Sequence, residues 1–395
     1  MFDFSIAVDR TGIGNMKYII TPDEIKQAGV VSYSGAEMEF GTAPVIIKAV
    51  SDFVSRGLYG FTLNDDKYQT TVSQWMKYQR NFDIEKNWIV PTHGTIFSVA
   101  TTIRLLTQPG DGVIVSPPVY HRYEQAAMRL GRKTVYNTLI NSGGRYSIDF
   151  ENLELLMSGE RNKLYILCNP HNPIGKVWDT DDLERIAEIA GKHGVTVFSD
   201  EIFAEVVFNG KKCVPFCAVE STGKSIMSTS LGKTFNFTGV NQANIIIPDQ
   251  TLRDAFIAQR NADHFGSIDP FFYAAITGAY SKEGAKWKDA MTRHIWECYT
   301  MISDFFSKHL PQVIISPLEG SFVIWVDWRA MFPTNAALKD FLQNEALIHA
   351  DLGSEYGSEV GFTRMCIAVP KKDIMQSLEL LIEAIGKKGL VAAYV

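Results

Sequence analysis

Three short segments place an amide, a carboxylate and an amine each just beyond an apolar, β-rich run. They are Cys168-Asn169-Pro170-His171-Asn172-Pro173-Ile174-Gly175, Ser199-Asp200-Glu201-Ile202 and Ser230-Leu231-Gly232-Lys233. In a parallel sheet, side chains just past the carboxyl ends of neighbouring strands converge on one crevice. A lysine in such a place can condense with an aldehyde once a desolvated or electropositive setting has removed its proton. A carboxylate there can keep a pyridine nitrogen protonated, so that the ring absorbs the electrons released at a substrate α-carbon. These are the demands of pyridoxal 5'-phosphate chemistry, and the chain reads as an enzyme.

Each candidate has a plainer reading to set beside this one. Lys233 could be a solvated surface lysine, but it ends the small, polar string Ser228-Thr229-Ser230-Leu231-Gly232, which suits a tight loop around a phosphate ester. Asp200 could be a helix N-cap after a strand; its spacing from Lys233, across one further strand, favours the pyridinium partner. Asn172 could belong to an ordinary turn, yet two prolines and Gly175 would hold its amide rigidly at a strand end. The stretch His93-Gly94-Thr95-Ile96 opens a helix, whose free N–H groups and positive dipole end make a seat for phosphate. Tyr120, after Pro117-Pro118, is placed to stack on a cofactor ring, although a lone aromatic is more often core. Arg364 offers a planar guanidinium that matches a substrate carboxylate bidentately.

These residues need a framework, and the middle of the chain supplies one. Short aliphatic runs alternate with helical patterns, the signature of a parallel α/β layer structure. Val113-Ile114-Val115, Leu164-Tyr165-Ile166-Leu167, Val195-Thr196-Val197-Phe198, Ser225-Ile226-Met227 and Ala243-Asn244-Ile245-Ile246-Ile247 are the predicted strands. Leu183, Ile186, Ala187 and Ala190 recur with helical spacing before His193-Gly194 ends the pattern. A long amphipathic helix is predicted from Trp287 to Leu310, carrying Met291, Ile295, Ile302 and Phe305 until Pro311 breaks it. It should lead into a smaller α+β domain with the strand Ser321-Phe322-Val323-Ile324-Trp325 and a closing helix ended by Gly386. The expected division is 1–45, an N-terminal segment packing with the small domain; 46–285, a large α/β domain; and 286–395, the linking helix and small domain.

Bulk properties narrow the options. The chain has 395 residues, enough for two domains, and its 46% hydrophobic and 21% charged residues are ordinary for a soluble protein. A formal net charge of -6 argues against nucleic acid as a partner. No apolar run approaches the roughly 20 residues needed to span a bilayer, and Met1-Phe2-Asp3-Phe4-Ser5 does not open a secretory signal. Five scattered cysteines suit a reducing cytoplasm, with Cys213 and Cys217 as incidental thiols. The sequence lacks a Gly-x-Gly-x-x-Gly dinucleotide turn, paired metal-ligand spacing and a Gly-x-Ser-x-Gly elbow.

With these residues in place, the chain resembles fold-type I pyridoxal-phosphate enzymes of the class I/II aminotransferase family over nearly its whole length. Asn-Pro-His-Asn-Pro-x-Gly and Ser-Asp-Glu-Ile carry the family likeness. Ala36-Glu37-Met38-Glu39-Phe40, Gly57-Leu58-Tyr59-Gly60-Phe61-Thr62 and Gly175-Lys176-Val177-Trp178 are similar to motifs of the cystathionine β-lyase and cystalysin group of C–S lyases. The resemblance implies that Lys233 forms the imine with the cofactor, Asp200 pairs with the ring nitrogen, Asn172 meets the phenolic oxygen and Tyr120 stacks on the ring. It implies Gly94, Thr95, Ile96, Ser228 and Ser230 around the phosphate, and Arg364 and Glu37 on the substrate side. It also implies a mostly parallel sheet sandwiched by helices and a homodimer with shared sites. Phe61, Phe203, Tyr18, Glu37 and Glu39 depart from the group's usual residues, and Phe61 lacks the tyrosine hydroxyl that reaches the neighbouring subunit's cofactor. The function so implied is a β-lyase acting on cystathionine, cysteine or a cysteine S-conjugate. An aminotransferase shares every named residue, and a cofactor-binding protein without turnover is the third reading.

Overall fold

Strands whose side chains are buried on both faces must be covered on both sides, and the centre of this molecule is built that way. In the computed structural model, which describes residues 2–263, 265–357 and 360–389, seven strands form the main sheet. In chain order the strands are β1 (Ile89–Thr92), β2 (Gly112–Val115), β3 (Lys133–Tyr136), the hairpin β4 (Ile140–Ser142) and β5 (Arg145–Ser147), β6 (Asn162–Cys168), β7 (Thr196–Asp200), β8 (Ser225–Thr229) and β9 (Ala243–Ile246). The sheet order is β1-β9-β8-β7-β6-β2-β3. From β8 to β3 all pairings are parallel, while β9 runs antiparallel to both β8 and β1. Alternation along β6 sends Leu164 and Ile166 into one apolar cluster with Val99, Ile103 and Ala127, and Tyr165 and Leu167 into another with Leu183 and Ile186. Helices therefore sandwich the sheet.

The helix predicted after β6 spans Thr180–His193. Asp179 and Asp182 close a capping box at its start, and Gly194, at φ 68°, takes the left-handed conformation that ends it. The long helix is Lys282–His309, five residues longer at its start than its apolar pattern suggests, because Ser281 caps the Gly284 N–H. Its buried face carries Phe306, with Phe305 only half-buried.

Beyond this helix lies a four-stranded antiparallel sheet, built of β10 (Ile314–Ile315), β11 (Val323–Asp327), β12 (Asp351–Leu352) and β13 (Phe362–Cys366) in the order β10-β11-β13-β12. The strand at 323–327 starts two residues later than predicted. The closing helix, Lys371–Lys388, runs through Gly386 and stops at Gly389, where φ is 62°. Residues 33–39 lie against this sheet: the Cys366 N–H donates to Tyr33 O at 2.8 Å and the Glu39 N–H to Ala368 O at 2.9 Å. That contact brings the segment before the first long helix to the edge of the strand that carries Arg364.

Candidate active site

The parallel registers set Cys168 opposite Asp200 and Asp200 opposite Ser228, so three strand ends finish in line. The loops leaving them carry the sequence-predicted residues. Asn172 follows β6 and is buried; Asp200 ends β7 and is buried; Lys233 follows β8 in the short helix Leu231–Thr234 and is half-buried.

The helix Thr95–Leu106 begins at the same level. Gly94 precedes it at φ 83°, a conformation that favours glycine, and no side chain caps its first N–H groups. Those donors and the positive helix end stay available to an anion. Thr95 Oγ1 lies 2.9 Å from Ser228 Oγ, which joins this helix to the end of β8. Ile96 is half-buried beside them. Ser230 lies in the same loop: its hydroxyl donates to Gln242 O at 2.8 Å and accepts from the Gly232 N–H at 3.1 Å, which holds the loop in shape.

Lys233 Nζ donates to the Ala36 carbonyl at 2.8 Å, across 197 residues of sequence. Burial, reinforced by the charge of Arg364 and opposed by Glu37 and Asp200, pushes its ammonium down to about 8. An amine in that range is about one-tenth unprotonated at pH 7 and half unprotonated near pH 8, so it offers far more of the attacking free amine than an ordinary lysine does. Asp200 moves the other way, up to about 6, chiefly through burial; Tyr123, the Ile202 N–H and Lys233 oppose the rise.

Arg364, on β13, donates through Nη1 to Asn172 Oδ1 at 3.3 Å and through Nη2 to Asp351, while its Nε is buried without a hydrogen-bond partner. Its guanidinium lies 4.9 Å from the centre of the Tyr356 ring. Asp351 also accepts from Ser34 Oγ at 2.5 Å and from Tyr356 Oη at 3.1 Å. Burial alone would raise this carboxyl, but Arg364 and Ser34 hold it below the usual range. Glu37 is tied by Arg10 at 3.0 Å, and Glu39 by Lys17 at 2.5 Å and Arg10 at 3.2 Å. Tyr120 is half-buried, edge-on to Tyr123 at 5.6 Å.

The departures sort by environment. Phe203 is buried against Phe322, with Lys233 Nζ 5.8 Å from its ring centre. Phe61 is fully exposed, and Tyr18 stands at the surface with Lys26 over its ring. Two residues that sequence reasoning missed belong to the arrangement. Asp351 resembles any loop carboxylate in sequence. Tyr123 gave a faint signal, a phenol on the inward face of a helix where phenylalanine would serve packing alone.

A lysine and a carboxylate at the strand ends of an α/β sandwich, with an arginine reaching Asn172 from the second sheet, make a site suited to group-transfer chemistry, and comparison with known proteins narrows it. The family model "Aminotransferase class I and II" matches residues 29–381. The chain is 31% identical to cystathionine beta-lyase PatB of Bacillus subtilis over 92% of its own length and 94% of the relative's. It is 29% identical to the protein MalY of Escherichia coli over 98% and 99%. The crystal structure of cystalysin from Treponema denticola, which contains a pyridoxal 5'-phosphate cofactor, superposes with a TM-score of 0.95 at 32% identity, covering 98% of this chain and 100% of that one. The chain belongs to the class I and II aminotransferase family.

Proposed function

We propose that this protein is a pyridoxal 5'-phosphate-dependent C–S β-lyase, acting on cystathionine, cysteine or another cysteine S-conjugate. The observation that carries the reading is Lys233: an amine lowered to about 8, held at a strand end within the fields of Asp200 and Arg364. The likeness to PatB and cystalysin over nearly the full chain favours the lyase.

The residues present fit the cofactor. The uncapped N–H groups of Thr95 and Ile96, following the turn at Gly94, together with the Thr95 and Ser228 hydroxyls suit the phosphate, and Ser230 borders that loop. Tyr120 suits the ring face, Asn172 the phenolic oxygen, Asp200 the ring nitrogen and Lys233 the aldehyde. When bound, pyridoxal phosphate supplies an electron-accepting ring that stabilises negative charge at a substrate α-carbon. The chain's own groups do the rest. Arg364 binds the substrate carboxylate, for which its unpartnered Nε is a ready donor. Glu37 borders the substrate. Lys233, once its Nζ is a free amine, removes the α-proton, and Asp200 keeps a proton on the ring nitrogen. The net reaction consumes one water and converts the S-conjugate to a thiol, pyruvate and ammonia.

The aminotransferase reading shares these residues and is favoured by the name of the family itself. Incubating the holoenzyme with cystathionine, and separately with an amino acid and 2-oxoglutarate, tests the choice. Release of thiol and pyruvate without glutamate is expected; glutamate formation without thiol would overturn the lyase.

The working unit is a homodimer. Leu58, Tyr59, Phe61 and Leu63 are exposed within six residues of chain, an apolar patch that a second copy would cover. The two sheets, with the 28-residue helix between them, support a division into a large and a small domain; the cuts at 45/46 and 285/286 fall inside the helices Pro44–Val54 and Lys282–His309. All five cysteines are buried free thiols, in keeping with a cytoplasmic setting, and among the described residues no helix is long and apolar enough to cross a membrane.

A further inference from the structure

Tyr123 stands in the first turn of the helix Arg122–Arg129, 1% exposed, among Val119, Ala126 and Ala127. Phenylalanine would fill the same space without carrying a hydroxyl into an apolar shell, where an unmatched polar group is costly. The hydroxyl has a match: it donates to Asp200 Oδ2 at 2.5 Å. Among the described residues no other side chain donates to Asp200, whose second oxygen accepts only a long 3.3 Å bond from the Ile202 N–H. Cys168, directly across the strand pair from Asp200, flanks the same hydroxyl.

We propose that Tyr123 is a positioning residue that aims the Asp200 carboxylate and holds it in its ionised form, and so sets how fully the cofactor's ring nitrogen is protonated. The inference rests on the pyridoxal phosphate reading above. A donor to a carboxylate stabilises the charged form over the neutral acid. Burial drives Asp200 upward, and Tyr123 is the strongest influence against it. The phenol keeps its own proton, since burial and the neighbouring carboxylate raise it well above the ordinary tyrosine range. It therefore serves as a fixed donor. Without it, the proton between the ring nitrogen and Asp200 shifts toward the carboxylate, leaving a neutral acid facing a neutral pyridine.

The test uses holoenzyme loaded with pyridoxal 5'-phosphate labelled with ¹⁵N in the ring, read by the ring-nitrogen chemical shift between pH 6 and 9. Tyr123→Phe should lower the ratio of protonated to neutral ring by roughly tenfold to a hundredfold, the effect of one hydrogen bond to a charged group. A fluorinated tyrosine at position 123, a stronger donor of nearly the same shape, should move the signal the opposite way, and it covers the case in which the phenylalanine variant fails to fold. Signals that coincide in the native and fluorinated proteins across the pH range, or in the native and phenylalanine proteins where both fold, overturn the role of Tyr123. If the native chain does not take up the labelled cofactor, the pyridoxal phosphate reading falls as well.

Discussion

Asp200 and Glu201 are consecutive buried carboxylates at the end of β7, and they face different neighbourhoods. Glu201 looks into a sealed cluster. Arg80 Nη2 donates to it at 2.5 Å, and Ser199 Oγ and the Phe216 N–H each donate at 2.8 Å. Asp200 accepts from Tyr123 and feels the charge of Lys233, with no cation in direct contact among the described residues. One carboxylate has its charge fully answered by protein, whereas the other is left with charge to offer. The carboxylate proposed to act on the cofactor is the one whose compensation is left incomplete, and the pairing next door shows that the chain can complete it.

Substitutions can break this contrast. The largest effect should come from the open side. Lys233→Ala should abolish the visible absorbance of the cofactor imine and reduce turnover by roughly a thousandfold or more; an unchanged spectrum would disprove its role. Asp200→Asn should lower turnover by roughly a hundredfold or more, yet leave unfolding in urea within about 1 kcal/mol of the parent. Glu201→Gln should invert that pattern. It leaves the buried Arg80 charge with neutral acceptors such as the Cys213 carbonyl in place of its ion pair, with a loss of about 3–5 kcal/mol of stability. Two variants with equal effects on stability would erase the distinction.

A smaller effect follows from pH. Because Lys233 titrates near 8, below its ordinary value, each pH unit beneath that midpoint leaves about tenfold less free amine. Capture of pyridoxal phosphate by the apoprotein should therefore accelerate about tenfold per unit from pH 6 and level off above 8, as followed by stopped-flow absorbance. A flat profile would show that amine ionisation does not limit capture. The smallest effect concerns Phe61. If it faces the partner subunit's cofactor, Phe61→Tyr should tighten cofactor binding about tenfold or more, in line with about 1.5–3 kcal/mol for a hydrogen bond to a charged group. An unaltered dissociation constant would argue against a shared site.

Much of this was legible in the sequence because strand ends are marked by abrupt changes of chemistry. The apolar runs before Asn169, Ser199 and Ser228 located three neighbouring strands and the residues at their tips. The direction of β9 was not legible, since a buried strand has the same composition whichever way it runs. Lys233 was identifiable, but its partner, the Ala36 carbonyl, is a backbone atom with no sequence signature. Tyr123 and Asp351 were obscured for a related reason: each acts through a neighbour brought in by tertiary packing. Ser230 shows the converse, a residue marked by type whose hydroxyl the loop itself employs.

The contact between Asn172 and Arg364 joins residues 192 positions apart, and Arg364 sits on a strand near the end of the described chain. During synthesis the crevice cannot acquire its arginine until that strand has left the ribosome and docked. A nascent chain that already has the main sheet can present the lysine and the aspartate, but not the guanidinium proposed to receive a carboxylate. Under the proposed role of Arg364, recognition of a substrate carboxylate is therefore gained only after the lysine and the aspartate are in place.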